Sequence, residues 1–187
     1  AASGIGDIPS FTVTNNTAIA LVATIEVTPT FENGGISNSG NPETFTITVN
    51  PVPQVESIQN SITCAGDEVG DINFSTLNTG GTTTYEWTNN NTAIGLAASG
   101  IGDIPSFTVT NNTASALVAT IEVIPTYENG GVTCTGNPET FTITVNPGAQ
   151  VDPVAGQVLC VGESTDEILF TTSNTDGSTT YEWTNNN

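Results

Sequence analysis

The sequence predicts an all-β chain built from tandem sandwich domains, each about 96 residues long. Three observations carry that expectation: an internal period, an alternating apolar pattern, and turn residues at regular intervals. The stretch AASGIGDIPSFTVTNNTA at 1–18 returns letter for letter at 97–114. Sliding the chain along itself by 96 aligns 91 positions without a gap, and 63 of them are identical. NPETFTITVNP at 41–51 meets the same string at 137–147, and TTYEWTNNN at 83–91 meets it at 179–187. One ungapped period of that length is the mark of an array of whole domains. Two periods would need 192 residues against the 187 present, and the five absent are those at Thr92 to Leu96 of the internal copy. The expectation is a two-period window from a longer array.

The elements follow from the pattern. Ile8 to Thr14, Ala20 to Val27 and Phe45 to Val49 alternate apolar residues with Thr, Ala or Glu, the period of a half-buried strand. Thr on the alternate positions suits a solvent face. Asn-Gly-Gly at 33–35 and 129–131, Asn-Thr-Gly-Gly at 78–81 and the Gly-Asn-Pro triplets supply turn chemistry between them. No segment has helical periodicity. The Pro-rich run Asn50-Pro51-Val52-Pro53, matched by Asn146-Pro147-Gly148-Ala149, is the expected boundary, because Pro stiffens a short connection. It divides the chain into the C-terminal half of one domain (1–51), a complete domain (52–147) and the N-terminal half of the next (148–187). Strands in the complete domain are expected near Val55–Ile58, Ile72–Thr76, Thr83–Thr88, Ser106–Thr110, Leu117–Thr126, Val132–Cys134 and Thr140–Val145. Seven short strands with a Trp on the third argue an immunoglobulin-like sandwich. Trp87 and Trp183 are then core residues, since buried aromatics dominate such cores.

Composition removes most functions. There is no Lys, Arg or His against 19 Asp and Glu, a net charge of −19. No cation is available to neutralise nucleic-acid phosphates or to meet an anionic membrane. Without His, neither a Ser-His-Asp nor a Cys-His site can be built, and no imidazole can ligate a metal. A phosphate-binding loop lacks its Lys. Paired carboxylates remain able to hydrolyse glycosides; Glu86 and Glu182 beside Trp, with Asp7 and Asp103 after Gly, are the candidates. Their recurrence in each period argues against catalysis, and the expectation is that the protein is not an enzyme. Trypsin-like proteases find no site, and a Lys–Asn isopeptide staple cannot form. No run of about 18 apolar residues spans a membrane. Apolar residues make up 36% and alternate regularly, which separates the chain from acidic disordered sequences.

Cys64 and Cys134 fall in the complete domain, and Cys160 is Cys64 shifted by one period; Asn38 stands where Cys134 has its counterpart. The economical reading is a Cys64–Cys134 disulfide, with the partner of Cys160 outside this sequence. Closing that span would stabilise the domain by about 4 kcal/mol on the chain-entropy model, and would imply an oxidising, exported location. Three buried free thiols are the alternative. Acidic residues cluster at Asp67-Glu68-Val69-Gly70-Asp71 and again at Glu163 to Glu167. With no cationic partners, Asp67, Glu68 and Asp71 are candidate calcium ligands, against a solvated acidic turn as the alternative. Asn15, Asn73, Asn90 and Asn111 open Asn-x-Ser/Thr triplets, read here as turn residues rather than glycan acceptors.

The strings TTYEWTNNNTAIGLAASGIGDIPSFTVTNN and ATIEVIPTYENGGVTCTGNPETFTITVNP, with Cys-x-Gly after the linker, resemble the PKD-like repeat of very large Bacteroidota cell-surface proteins. The likeness covers nearly the whole chain and is closest to gliding-motility adhesins of the SprB type. It implies type IX export, an extracellular location on the cell surface, and long filaments moved by a motor. Partners would be neighbouring repeats, other filament copies or the gliding and secretion machinery, with no nucleic acid and no membrane insertion. Asn38 in place of the second Cys departs from the pattern. Three function classes follow: a stalk or spacer in an adhesin filament, a repeat that itself binds polysaccharide or substratum with avidity, and an accessory module of a secreted hydrolase. The aromatic residues open to the second are Tyr85, Tyr127 and Phe31. No cofactor beyond calcium is expected.

Overall fold

A computed structural model describes residues 3–186 and is all-β, with a single three-residue 3-10 turn at Thr92–Ile94 among the described residues. Twelve strands follow in order: β1 Leu21–Val27, β2 Thr30–Asn33, β3 Ile36–Ser39, β4 Glu43–Val49, β5 Ser61–Cys64, β6 Glu68–Val69, β7 Thr82–Asn89, β8 Ser99–Ile101, β9 Phe107–Thr108, β10 Leu117–Asn129, β11 Val132–Thr135 and β12 Glu139–Asn146. Residues cluster into two compact units. One joins the chain up to Glu56 with Ser75–Tyr85 and Ile124–Pro138; the other joins Ser57–Phe74, Glu86–Val123 and the chain from Glu139 on. Each unit therefore takes in residues from both sides of one Pro-containing linker.

The main sheet has the order β5-β12-β10-β7-β8, with β11 also pairing β10. β10 alternates along its whole length: Ala119, Ile121, Val123 and Tyr127 are buried while Thr120 and Glu122 are not. Its antiparallel register with β12 sets Ala119 against Ile143 and Ile121 against Phe141, so the apolar members of both strands share one face. That is the pairing that fixes register, because a one-residue slip would turn the whole set to water. β12 pairs with β10 as far as Val123, and β11 takes over from Thr126. Pro125 sits at the changeover, where a residue without an N–H can be tolerated. Trp87, Ile94, Leu96, Ile104 and Val109 complete the core of the second unit.

The expected strands at Thr83–Thr88, Leu117–Thr126, Val132–Cys134 and Thr140–Val145 form with small shifts of boundary. Ser106–Thr110 shrinks to β9, which pairs only with β6. Ile72–Thr76 contributes one bridge, Ile72 to Ile104. Val55–Ile58 is no strand; β5 lies farther on, parallel to β12. Ile8 to Thr14 is unpaired as well. The reason is visible within the chain. Ile104 and Val109 are fully buried, whereas their letter-identical counterparts Ile8 and Val13 are about half exposed. β6 and Ile72, which pair with the first set, do not pair with the second.

Candidate functional sites

The acidic cluster folds into turns. Asp67 Oδ2 accepts from Cys64 N–H at 3.0 Å and from the Thr63 hydroxyl at 2.9 Å. Asp67 N–H returns to Cys64 C=O at 3.1 Å, closing the turn between β5 and β6. Asp71 Oδ1 accepts from Ser106 N–H at 2.7 Å. Glu68 is exposed on β6, opposite Thr108. Of the three carboxylates expected to share calcium, Asp67 and Asp71 are thus directed at separate backbone donors, and among the described residues no group of three metal-ligating side chains forms. One period on, Glu163 repeats the work of Asp67, accepting from Cys160 N–H at 2.7 Å. A backbone-capping carboxylate, short or long, is what the position supplies.

The expected disulfide is not formed. Cys64, Cys134 and Cys160 are all free thiols, the first and last exposed and Cys134 half-buried. Register gives the reason. Cys64 lies opposite Asn146 on β12, next to Val145, which faces Leu117 of β10. Cys134 faces Tyr127 of β10. Along β10 those places are ten residues apart, about 33 Å at ~3.3 Å per residue, whereas a disulfide needs Cα atoms within about 7 Å. Shared membership of one sequence period does not bring two residues to the same end of a strand.

Of the proposed acid pair, Asp103 Oδ1 accepts from Phe74 N–H at 2.8 Å, and Glu86 sits exposed in β7 opposite Ile101. Both have places in the β framework. Tyr127 is buried with its hydroxyl donating to Thr79 C=O at 3.0 Å, Tyr85 is half-buried, and Phe31 is exposed on β2. Asn15 and Asn111 are buried. Each amide donates twice, to Ile19 and Val49 C=O or to Ser115 and Val145 C=O, all at 2.8 Å. Each also accepts from the N–H two residues on, at 2.9 Å, the Asx turn typical of Asn. Asn90 accepts from Thr120 N–H at 2.8 Å.

Sequence reasoning missed the two linkers as sites of polar contact. In the first unit, Asn78 Oδ1 accepts from Gln54 N–H at 2.9 Å, and its amide donates to Val52 C=O at 3.2 Å and Ala18 C=O at 3.4 Å. Thr79 N–H donates to the same Ala18 C=O at 3.1 Å. Pro51 and Pro53 are fully buried. In the second unit, Asn174 Oδ1 accepts from Gln150 N–H at 2.9 Å, its amide donates to Gly148 C=O at 3.2 Å, and Thr175 N–H donates to Ala114 C=O at 2.8 Å. Every partner in the second set is the first set plus 96. The flanking bonds recur too: Glu56 N–H to Ser75 C=O, and Asp152 N–H to Thr171 C=O. The sequence signal is the Asn-Thr pair at 78–79, which by itself reads only as part of a turn, together with its counterpart at 174–175. A cleft beside the second linker, lined by Ala116, Pro147, Asn174, Thr175 and Asp176 among others, holds one carboxylate.

Neither the family models, the curated proteins nor the solved structures contain a match to this chain.

Proposed function

We infer that the chain is a stalk segment of a secreted cell-surface adhesin filament of the PKD-like, gliding-motility kind. In this reading, immunoglobulin-like domains of about 96 residues, bounded at 1–51, 52–147 and 148–187, form an extended array that holds a distal adhesive region away from the cell. The observation that carries it is the linker set, the same hydrogen bonds one period apart. A linker held by the same hydrogen bonds one period apart has the fixed local geometry that a spacer requires and a flexible tether lacks. The uniform negative charge supports it, because repulsion screened over about 8–10 Å discourages sideways clumping. No catalysis is assigned. The test is a glycan array probed with the 187-residue chain. The spacer reading expects no binding above background, and dose-dependent binding to any polysaccharide would favour a direct-binding repeat instead.

A further inference from the structure

Identical residues are buried in one part of this chain and bare in another. Phe141 is 2% exposed, while Phe45, in the same string ETFTITV, is 45% exposed. Trp87 is 5% exposed, while Trp183, in the same string TTYEWTNN, is 73% exposed. Val123 and Val27 differ in the same sense, as do Ile104 and Ile8. Local sequence is held constant in each pair, so the difference lies in what covers the residue. Residues 57–91 and 97–146 cover each other through four sets of contacts. β5 runs parallel to β12, β6 pairs β9, Ile72 bridges Ile104, and β7 pairs β8. Residues 153–186 are the one-period counterpart of the first partner, identical to residues 57–90 at 16 of 34 positions and with no strand formed, and residues 3–50 are that of the second, identical to 99–146 at 41 of 48.

We propose that residues 148–186 of one copy of this chain dock on residues 3–50 of a second copy, head to tail, rebuilding in trans the contacts made between residues 57–91 and 97–146. Subtracting or adding one period gives the contacts. Gln157 to Cys160 lie parallel to Ile47 to Asn50, as Ser61–Cys64 lie along β12. Ile168 bridges Ile8, as Ile72 bridges Ile104. Asp7 caps Phe170 N–H, as Asp103 caps Phe74 N–H. Gly4 lies beneath the Trp183 indole, as Gly100 lies beneath Trp87, where an added Cβ would overlap the ring. Phe31 covers the Thr175–Gly177 turn, as Tyr127 covers Thr79 and Gly81. The occupant is a second copy because residues 148–186 are the one-period counterpart of the segment that covers β10 and β12, and because the patch is apolar and offers no cation to an acidic partner. The interface is heterologous, so it propagates rather than closing into a dimer. Both copies carry −19, so salt strengthens it by screening. Nothing in this proposal rests on the stalk reading, and a glycan-binding repeat could assemble in the same way.

The experiment is sedimentation of the 187-residue chain over a concentration series, with three variants. Phe45→Asp disables the acceptor face and Trp183→Asp the donor face. Wild type is expected to form open-ended oligomers that grow with concentration and with added NaCl. Each variant alone is expected to stay monomeric, and an equimolar mixture to stop at a dimer, since one intact end of each remains. Gly4→Ala is the sharpest arm: its Cβ meets nothing within 4 Å in the single chain, yet it should abolish assembly with the thermal melt unchanged. A monomeric wild type would overturn the proposal. So would a dimer of Trp183→Asp alone, which would mean the acceptor faces pair with each other. Aggregation of the mixture beyond a dimer, or assembly of Gly4→Ala at the wild-type level, would show a merely sticky surface and overturn it equally.

Discussion

At the residue scale, buried amides and glycines do the work that ion pairs do elsewhere, since the chain has no cation to pair. Asn111 satisfies two carbonyls and two donors of its turn at once, and removing one partner leaves the others unpaired in the interior. Asn111→Ala is therefore expected to destabilise the second unit by about 1–3 kcal/mol, read by chemical denaturation. Gly100→Ala should cost a similar amount, about 1–3 kcal/mol from overpacking against Trp87, and an unchanged midpoint would contradict that placement. The Trp87 Nε1 donor is buried without an acceptor, so its ring is held by packing alone. The thiols make a separate prediction. With Cys64, Cys134 and Cys160 free, a thiol reagent should label all three in the unfolded chain without prior reduction. Labelling of Cys160 alone would restore the Cys64–Cys134 disulfide expected from spacing.

At the element scale, strands were legible where alternation is long and both partners lie close in sequence. β10 and β12 read directly from Leu-Val-Ala-Thr-Ile-Glu-Val and Glu-Thr-Phe-Thr-Ile-Thr-Val, and β1 and β4 from the same letters. β5, β6 and β8 did not, because they are two to four residues long and exist through long-range partners. Val55–Ile58 had the composition of a strand, but its one ladder-like contact is Glu56 N–H to Ser75 C=O. The carboxylate cluster was legible as a group, but sequence shows charge and not which backbone N–H the Asp67 and Asp71 oxygens meet. The linker clamp was legible only as Asn-Thr turns. Asn78→Ala with Asn174→Ala is expected to loosen both linkers, broadening the distribution of sizes in small-angle scattering. An unchanged profile would contradict the clamp.

At the scale of the whole molecule, a 96-residue period packs only where its early and late segments meet. Burial in residues 57–146 and exposure of the same letters elsewhere follow from that single requirement. The charge of −19 sets the conditions under which copies approach but does not decide the fold. Backbone hydrogen exchange by NMR on the intact chain, at a concentration low enough to keep it monomeric, tests this most directly. Leu21–Val27 and Leu117–Val123 are letter-identical and equally paired to their hairpin partners, so intrinsic chemistry and local bonding cancel in the comparison. Exchange is governed by the free energy of opening. Amides of Ile121, Val123 and Ile143 are expected to exchange at least a hundredfold more slowly than those of Ile25, Val27 and Ile47, roughly 2.7 kcal/mol of extra protection. Equal protection of the two sets would contradict it.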